Sequence, residues 1–277
     1  MDFEVDHIIL VVQDLEKASA AYESLGFTLT ARSSHPFGTA NRLISLGDSF
    51  IELLAIEDAS RLGAMVAIKE MLDAAGEDTP WGVVWQMEDP SAMHVFCESL
   101  GMQPSPLQER VTRKIVHPDG TEHEACYSSF ALMKSLTPWY MEGFSIQHRP
   151  AATFAGAWRI HKNGGGMMKS VVVETDDLFA TSEHLASFGE PLLSSNECNL
   201  GFGAGRCRVR VVPRSVEEAI KGPTLTAVEV SMSNIDAVKA LAHCADVDYV
   251  QTANGGIEIA PRYAAGITLR LFDGSKP

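Results

Sequence analysis

The sequence predicts an α+β protein that is assembled from four copies of one βαβββ repeat. Apolar segments typical of buried strands recur along the chain, and each is followed by a helix that starts at a capping residue. In the first three repeats the capping aspartate and the glycine that ends the helix have the same spacing, at Asp14 and Gly26, Asp89 and Gly101, and Asp177 and Gly189. Repetition of this kind indicates an architecture built from one supersecondary unit.

Repeat 1 starts with an apolar strand at residues 6–12. A helix follows Asp14 and places Leu15, Ala18, Tyr22 and Leu25 on one face. Three short strands complete the repeat, at residues 27–32, 40–46 and 50–56. A segment with helical spacing at residues 61–75 then connects repeat 1 to repeat 2.

The other repeats follow the same order. In repeat 2 a helix starts at Asp89 and Pro90, where proline at the first helical position is favourable. A hairpin then turns at Asp119 and Gly120, which is a strong turn signal. The predicted strands of repeats 2, 3 and 4 are residues 81–87, 107–116, 121–133 and 139–144, then 168–173 and 207–212, then 225–232, 256–260 and 266–272.

The repeats predict two paired domains. We expect a first domain at residues 1–150, with one repeat at 1–60 and another at 80–147. Residues 151–166 contain three consecutive glycines and read as a linker. Residues 167–277 form a degenerate second pair of repeats.

Composition narrows the class of function. The formal net charge is −14, which disfavours nucleic acids and anionic membranes as partners because both select for Lys and Arg. The five cysteines are odd in number and form no C-x-x-C pair, which fits a reducing compartment. No signal peptide or membrane-spanning apolar run is apparent. We therefore expect a cytoplasmic protein whose partner is neither a nucleic acid nor a membrane.

Several motifs resemble the glyoxalase-like branch of the vicinal-oxygen-chelate superfamily. The resemblance reaches to about residue 175, and its most specific part is the stretch His35-Pro36-Phe37-Gly38-Thr39-Ala40-Asn41. The other motifs are Asp6-His7-Ile8, Leu25-Gly26-Phe27, Phe50-Ile51-Glu52-Leu53-Leu54, Pro118-Asp119-Gly120, Pro138-Trp139-Tyr140-Met141-Glu142 and His161-Lys162-Asn163-Gly164. In that superfamily two repeats pair around a concave pocket, where residues of the first and last strands often hold a divalent metal.

The resemblance implies a metal site at His7, Glu52 and Glu142, with Gly82 at the position of a fourth ligand. Strand alternation places His7 and Glu52 among apolar neighbours, and a buried carboxylate needs a cation or hydrogen-bond donors. Imidazole and carboxylate suit Zn, Mn, Ni or Fe. The alternatives are a His7 bonded to a core carbonyl, and a Glu52 in a salt bridge to Arg42 or Arg32.

Four further residues are candidates for binding the substrate: His35, Asn41, Arg42 and Tyr140. Asn41 would hydrogen-bond a substrate oxygen, and Arg42 would pair with a substrate carboxylate. The alternatives are an exposed loop position for His35, a salt bridge to an acidic neighbour for Arg42, and a core position for Tyr140.

The resulting hypothesis is a metal-dependent lyase or isomerase that acts on a small oxygen-rich molecule, with Glu142 as general base. An alternative is a metal-free protein that sequesters a small molecule, favoured by the glycine at position 82. A ring-cleaving dioxygenase is disfavoured, because non-haem Fe(II) prefers two histidines and one carboxylate and only His7 is well placed. A homodimer is plausible for this superfamily.

Overall fold

The fold is taken from a computed structural model of the chain. It describes residues 3–87, 89–117, 119–130, 143–144, 156–186, 192–193, 200–202, 207–214 and 223–275. No helix within these ranges is long and apolar enough to cross a membrane.

Repeat 1 contains most of its predicted elements. They are β1 (Phe3–Val12), α1 (Leu15–Ser24), β2 (Ser33–Ser34), β3 (Thr39–Leu46) and β4 (Ser49–Ile56). Helix α1 begins as predicted, because the Asp14 carboxylate accepts hydrogen bonds from the backbone N–H groups of Glu16 and Lys17, at 3.0 Å each. The helix ends at Ser24, Leu25 is its C-cap, and Gly26 follows in the left-handed region with φ +85°.

The predicted strand at residues 27–32 is wrong. The structure has a single bridge there, between Leu29 and Ile44, and then the short strand β2. The reason is that the polar groups of Thr28 bond elsewhere. Its N–H donates to His161 Nδ1 at 2.8 Å, and its hydroxyl donates to the carbonyl of Ile160 at 2.6 Å. A backbone N–H that donates to a side chain cannot also donate in a sheet ladder.

The connector helix and repeat 2 follow the prediction closely. Two 3-10 turns precede α2 (Val66–Ala75), so the helix is shorter than the predicted segment. The elements of repeat 2 are β5 (Thr79–Met87), α3 (Pro90–Ser99), β6 (Gln108–Val116), β7 (Glu122–Ser129) and β8 (Gly143–Phe144). The β6–β7 hairpin is confirmed, and the rest of the predicted strand 139–144 lies outside the described residues.

Repeats 3 and 4 are also present. Their elements are β9 (Gly166–Thr175), α4 (Leu178–Ala186), β10 (Leu192–Leu193), β11 (Leu200–Phe202) and β12 (Arg208–Pro213), then β13 (Thr224–Met232), α5 (Ile235–Cys244), β14 (Tyr249–Gln251), β15 (Ile257–Ile259) and β16 (Thr268–Asp273). Asn234 caps α5 by accepting from the N–H of Ala237 at 3.0 Å. Asp246, with φ +55°, occupies the left-handed position that glycine takes in repeats 1 and 2.

The strands of the described residues form two large sheets and one separate hairpin. The first sheet has the order β2-β3-β4-β1-β5-β8, and the second has the order β10-β11-β12-β9-β13-β16-β15-β14. Strands β6 and β7 form a separate two-stranded sheet. Within the second sheet β12 runs parallel to β9, and β13 runs parallel to β16. This arrangement confirms the predicted α+β class built from repeated βαβββ units.

Contact density divides the chain into two compact units. Unit A comprises Ile8–Trp81, Phe154–Met168 and Ala227–Pro277. Unit B comprises Met1–His7, Gly82–Thr153 and Lys169–Thr226. Inside unit A, the hydroxyl of the fully buried Tyr22 on α1 donates to the carbonyl of Ala264 at 3.2 Å. Burial raises the pKa of this phenol further above its ordinary value. Unit A thus joins segments that are far apart in sequence.

A short segment before β9 ties unit A together through buried polar contacts. Asn163 donates from its side chain to the carbonyl of Leu25 at 2.9 Å. His161 accepts from Thr28 N–H at Nδ1 and bonds the carbonyl of Ser45 through Nε2 at 2.8 Å. Since a carbonyl can only accept, Nε2 carries the proton and His161 is the neutral Nε2–H tautomer. His161 is therefore a structural residue of unit A.

The buried His161 makes the stability of the protein depend on pH. Burial lowers the pKa of this imidazole below its ordinary value, against a smaller raising effect of the Ser45 carbonyl. The unfolded chain therefore takes up a proton at higher pH than the folded chain. Its contribution to stability is complete above pH ~6.5 and is lost as pH falls through the folded pKa, by at most about 1.4 kcal/mol per pH unit.

We expect the wild type to lose more free energy of unfolding than a His161→Gln variant when the pH is lowered from about 7.5 to about 5.5. Urea unfolding of both proteins at the two pH values measures the difference, and the other histidines cancel because both proteins contain them. Parallel losses in the two proteins would show that His161 takes no part in the pH dependence.

Candidate functional site

The candidate site is built on β3 and β4 of unit A. These strands are antiparallel, and Glu52 lies opposite Leu43 while Asn41 lies opposite Leu54. Asn41 and Leu43 share a face because side chains alternate along a strand, so Asn41 and Glu52 are diagonal neighbours on one face. Glu52 is the one polar residue on its face of β4, whereas the face of β3 that carries Asn41 also carries Thr39 and Ser45.

Asn41 and Glu52 form a buried hydrogen bond. Only 1% of Asn41 and 8% of Glu52 is exposed, and Asn41 Nδ2 donates to Glu52 Oε1 at 2.5 Å. The carboxylate oxygen can only accept when it is ionised, so the amide nitrogen and not the amide oxygen must face it. Asn41 Oδ1 is buried and accepts no hydrogen bond from any residue that the structure describes.

His35 extends this contact at the edge of the sheet. Its Nε2 lies 3.3 Å from Asn41 Nδ2, and its Nδ1 lies 2.7 Å from the hydroxyl of Thr39. Because Asn41 Nδ2 can only donate, Nε2 accepts and Nδ1 carries the proton. The half-buried ring also stacks on Phe37, with ring centroids 4.9 Å apart. Thr39, His35, Asn41 and Glu52 therefore form one hydrogen-bonded chain.

The turn that presents His35 is anchored to the segment after β4. Gly38 lies in the left-handed region with φ +82°, and its carbonyl accepts from the N–H groups of Glu57 and Asp58, at 3.0 Å each. Arg61 donates to the carbonyl of Pro36 at 2.6 Å. The Ser60 hydroxyl and N–H donate to Asp58, which lowers the pKa of that carboxyl. These contacts hold the His35 turn in one conformation.

His7 lies in unit B, at its boundary with unit A in the sequence, and is 4% exposed. Its Nδ1 lies 2.8 Å from Oδ2 of Asp6, which is buried beside it. An ionised carboxylate has no proton to give, so Nδ1 donates and a neutral ring keeps its lone pair on Nε2. That tautomer suits a metal ligand, since ligating histidines commonly donate their other N–H to a carboxylate.

Arg42 is not placed with Asn41. It follows Asn41 on β3 and so points to the other face of the sheet, where it donates to the carbonyl of Thr30 and to Glu23, at 2.9 Å each. Arg32 pairs with Glu57. The ion pairs that the sequence offered for Glu52 are thus made with other carboxylates.

The rest of the predicted site, namely Glu142 and Tyr140, lies outside the described residues. Within the described ranges no three His, Cys, Asp or Glu side chains are grouped so as to hold a metal ion. His7 belongs to unit B and Glu52 to unit A, so the complete ligand set stays a prediction.

Sequence reasoning missed two residues, Asp6 and Thr39. A signal for each was present. Asp6 directly precedes a candidate ligand histidine in an apolar strand, and Thr39 follows His35 across a turn-forming Pro36 and Gly38. Because strand alternation assigns neighbours to opposite faces, it could not predict the Asp6–His7 contact.

Comparison with known proteins gives a consistent result. The sequence profile of the glyoxalase-like domain matches residues 5–189, which is more than half of the 277-residue chain. Among curated protein sequences, none matches this chain.

Solved structures are similar over nearly the whole chain. A hypothetical protein from Staphylococcus aureus has a TM-score of 0.68 at 13% identity, covering 99% of this chain and 100% of that one. A mutant 4-hydroxymandelate synthase from Streptomyces coelicolor has a TM-score of 0.64 at 12% identity, covering 98% and 92%. An Mn(II)-bound glyoxalase from Novosphingobium aromaticivorans has a TM-score of 0.58 at 11% identity, covering 99% and 84%. At these identities the similarity shows the fold.

Proposed function

The chain belongs to the glyoxalase-like domain family, and from this premise we propose that it is a divalent-metal-dependent enzyme acting on a small oxygen-rich molecule. The observation that carries the proposal is His7. Its Nδ1 faces a buried carboxylate, which assigns the ring lone pair to Nε2, the atom a metal would need. Glu52 adds a buried carboxylate on β4, and Glu142 would complete the set.

These residue types fit Mn, Ni, Zn or Fe, all of which bind imidazole together with carboxylate. When bound, such a metal supplies Lewis acidity, which polarises neighbouring substrate oxygens and stabilises negative charge that develops on them. That chemistry belongs to isomerases and lyases that remove a proton next to a carbonyl. A similar protein, the Novosphingobium glyoxalase, is Mn(II)-bound.

The chain's own residues would orient the substrate and move its proton. Asn41 uses its amide N–H groups on Glu52 and His35, so its buried Oδ1 is the atom that would accept from a substrate hydroxyl. His35, held by Thr39 and stacked on Phe37, would pack against the substrate. Glu142 would act as general base, and Tyr140 would line the same pocket. Arg42 is bonded to Glu23 and is left out of the proposal.

A second candidate function is metal-free binding of a small molecule. The observation that favours it is Gly82, which stands where the family pattern places a fourth ligand. The same Asn41, His35 and Tyr140 would then contact a ligand that is held but not converted.

Metal content separates the two functions. Untagged protein is purified, exposed to Mn, Ni, Zn or Fe(II), desalted and measured by elemental mass spectrometry, beside His7→Ala and the surface control His243→Ala, whose side chain is exposed. We expect near-stoichiometric metal in the wild type and the control, and less than about a tenth of it in His7→Ala. A wild type that takes up none of the four metals contradicts the enzyme proposal, and ligand-induced shifts of Tm would then test the binding function.

A further inference from the structure

We propose that Asp6 is a positioning residue that fixes the ring orientation and tautomer of His7 for metal binding. The inference rests on the proposed function, because it concerns the same site, but it goes further: Asp6 belongs to a sequence motif that gives it no role, and it is not in the ligand set. The contact itself is short and buried, with His7 Nδ1 2.8 Å from Asp6 Oδ2.

The burial of Asp6 shows that the pair is more than a surface contact. The Asp6 side chain is 0% exposed and that of His7 is 5% exposed. Oδ1 of Asp6 is buried as well, and no hydrogen-bond partner for it exists within the described ranges. A buried carboxylate is costly unless a positive charge compensates it, and His7 supplies one only when its ring is protonated. A divalent cation on the ring that Asp6 bonds would supply the compensating charge.

The contact between Asp6 and His7 is unusual for neighbours on one strand. Asp6 and His7 are consecutive residues of β1, whose side chains leave the strand in opposite directions. Their side chains nevertheless meet at Nδ1, so the bond restricts how the imidazole can rotate. A ring held through Nδ1 presents Nε2 in a defined direction, and the carboxylate makes that nitrogen a stronger ligand.

The test uses Asp6→Asn, which keeps the shape of the side chain and removes its charge. The affinity of the protein for Zn or Mn is measured by competition with a chromophoric chelator, and we expect it to fall by about 10–100-fold. Asp89→Asn is the matched control in the same unit, because Asp89 caps α3 and asparagine is an equally good cap. Its affinity should equal that of the wild type.

A second readout does not depend on metal or on the variant. Long-range ¹H–¹⁵N NMR of the metal-free wild type reports which ring nitrogen of His7 carries the proton. A proton on Nδ1 is expected, and a neutral ring with its proton on Nε2 would overturn the inference even if Asp6→Asn fails to fold. Wild-type metal affinity in a folded Asp6→Asn protein would overturn it as well. A wild type that binds no metal defeats the proposed function itself, which is a different outcome.

Discussion

Replacement of Gly38 by alanine is expected to lower the free energy of unfolding by about 2–5 kcal/mol, from the sum of two costs. The first is the left-handed backbone, φ +82°, which an L side chain disfavours. The second is space, because a Cβ at this position would lie 2.3 Å from the backbone carbonyl oxygen of Asp58 and 2.9 Å from Cβ of Arg61. A backbone oxygen cannot move aside as the end of a long side chain can.

Gly76 provides the matched control. It ends α2 with φ +69°, and no heavy atom lies within 4 Å of the position that its Cβ would take. Gly76→Ala therefore carries only the backbone cost, about 1–2 kcal/mol. Urea unfolding of the two variants and the wild type measures the backbone cost in Gly76→Ala, and the additional steric cost as the difference between Gly38→Ala and Gly76→Ala. Equal losses in the two variants would mean that the packing of Gly38 against Asp58 adds nothing.

The Gly38 variant should also disturb the site. The turn at residues 35–38 carries His35, whose Nδ1 proton bonds Thr39. If Cβ pushes the turn away from Asp58, the His35 imidazole loses its fixed position relative to Asn41. The ¹⁵N shifts of His35 should change in Gly38→Ala and stay the same in Gly76→Ala.

Replacement of Glu52 by glutamine is expected to reduce metal affinity by about 100-fold or more, since residues that only support a ligand already account for 10–100-fold. The stability of the metal-free protein should be maintained, because the glutamine oxygen can still accept the hydrogen bond from Asn41. If Glu52 has only a structural role, the variant should instead lose stability while its metal affinity stays unchanged.

Glu57→Gln is the control for this experiment. Glu57 follows β4 directly and pairs with Arg32 where both side chains are partly exposed. Neutralising it should leave metal affinity unchanged and alter stability by at most about 1 kcal/mol. Chelator competition and thermal unfolding of the metal-free proteins give both quantities. Loss of metal in Glu57→Gln as well would point to a general effect of charge rather than to ligation by Glu52.

The helices and most strands were predictable because local signals determine them. A capping side chain fixes where α1, α3, α4 and α5 start, and a left-handed residue ends α1 at Gly26. The spacing between the capping residue and the left-handed residue is the same for Asn234 and Asp246. It could not be recognised from the sequence, because an aspartate stands where the other repeats have a glycine. Aspartate tolerates the left-handed region better than most residues, so the fourth repeat can end its helix in the same way as the first.

Long-range contacts account for what could not be predicted. The sequence of residues 27–32 predicts a strand. Thr28 does not pair in the sheet because it bonds to His161 and Ile160, which are distant in sequence. In the site, the pairing of Asn41 with Glu52 follows from strand register, which alternation alone does not provide. The role of Arg42 was ambiguous for the same reason, since the helix that bears Glu23 had to be placed first.

The composition of unit A has a consequence for synthesis on the ribosome. Its segments Ile8–Trp81 and Ala227–Pro277 are separated in sequence by most of the chain, yet α1 bonds to Ala264 through Tyr22. Domains usually fold in order as they emerge, and contacts of long sequence separation form slowly. The nascent first repeat therefore lacks the contact of Tyr22 with the last repeat until Ala264 leaves the exit tunnel. Chaperones that shield emerging apolar segments would therefore stay bound longest to the first repeat.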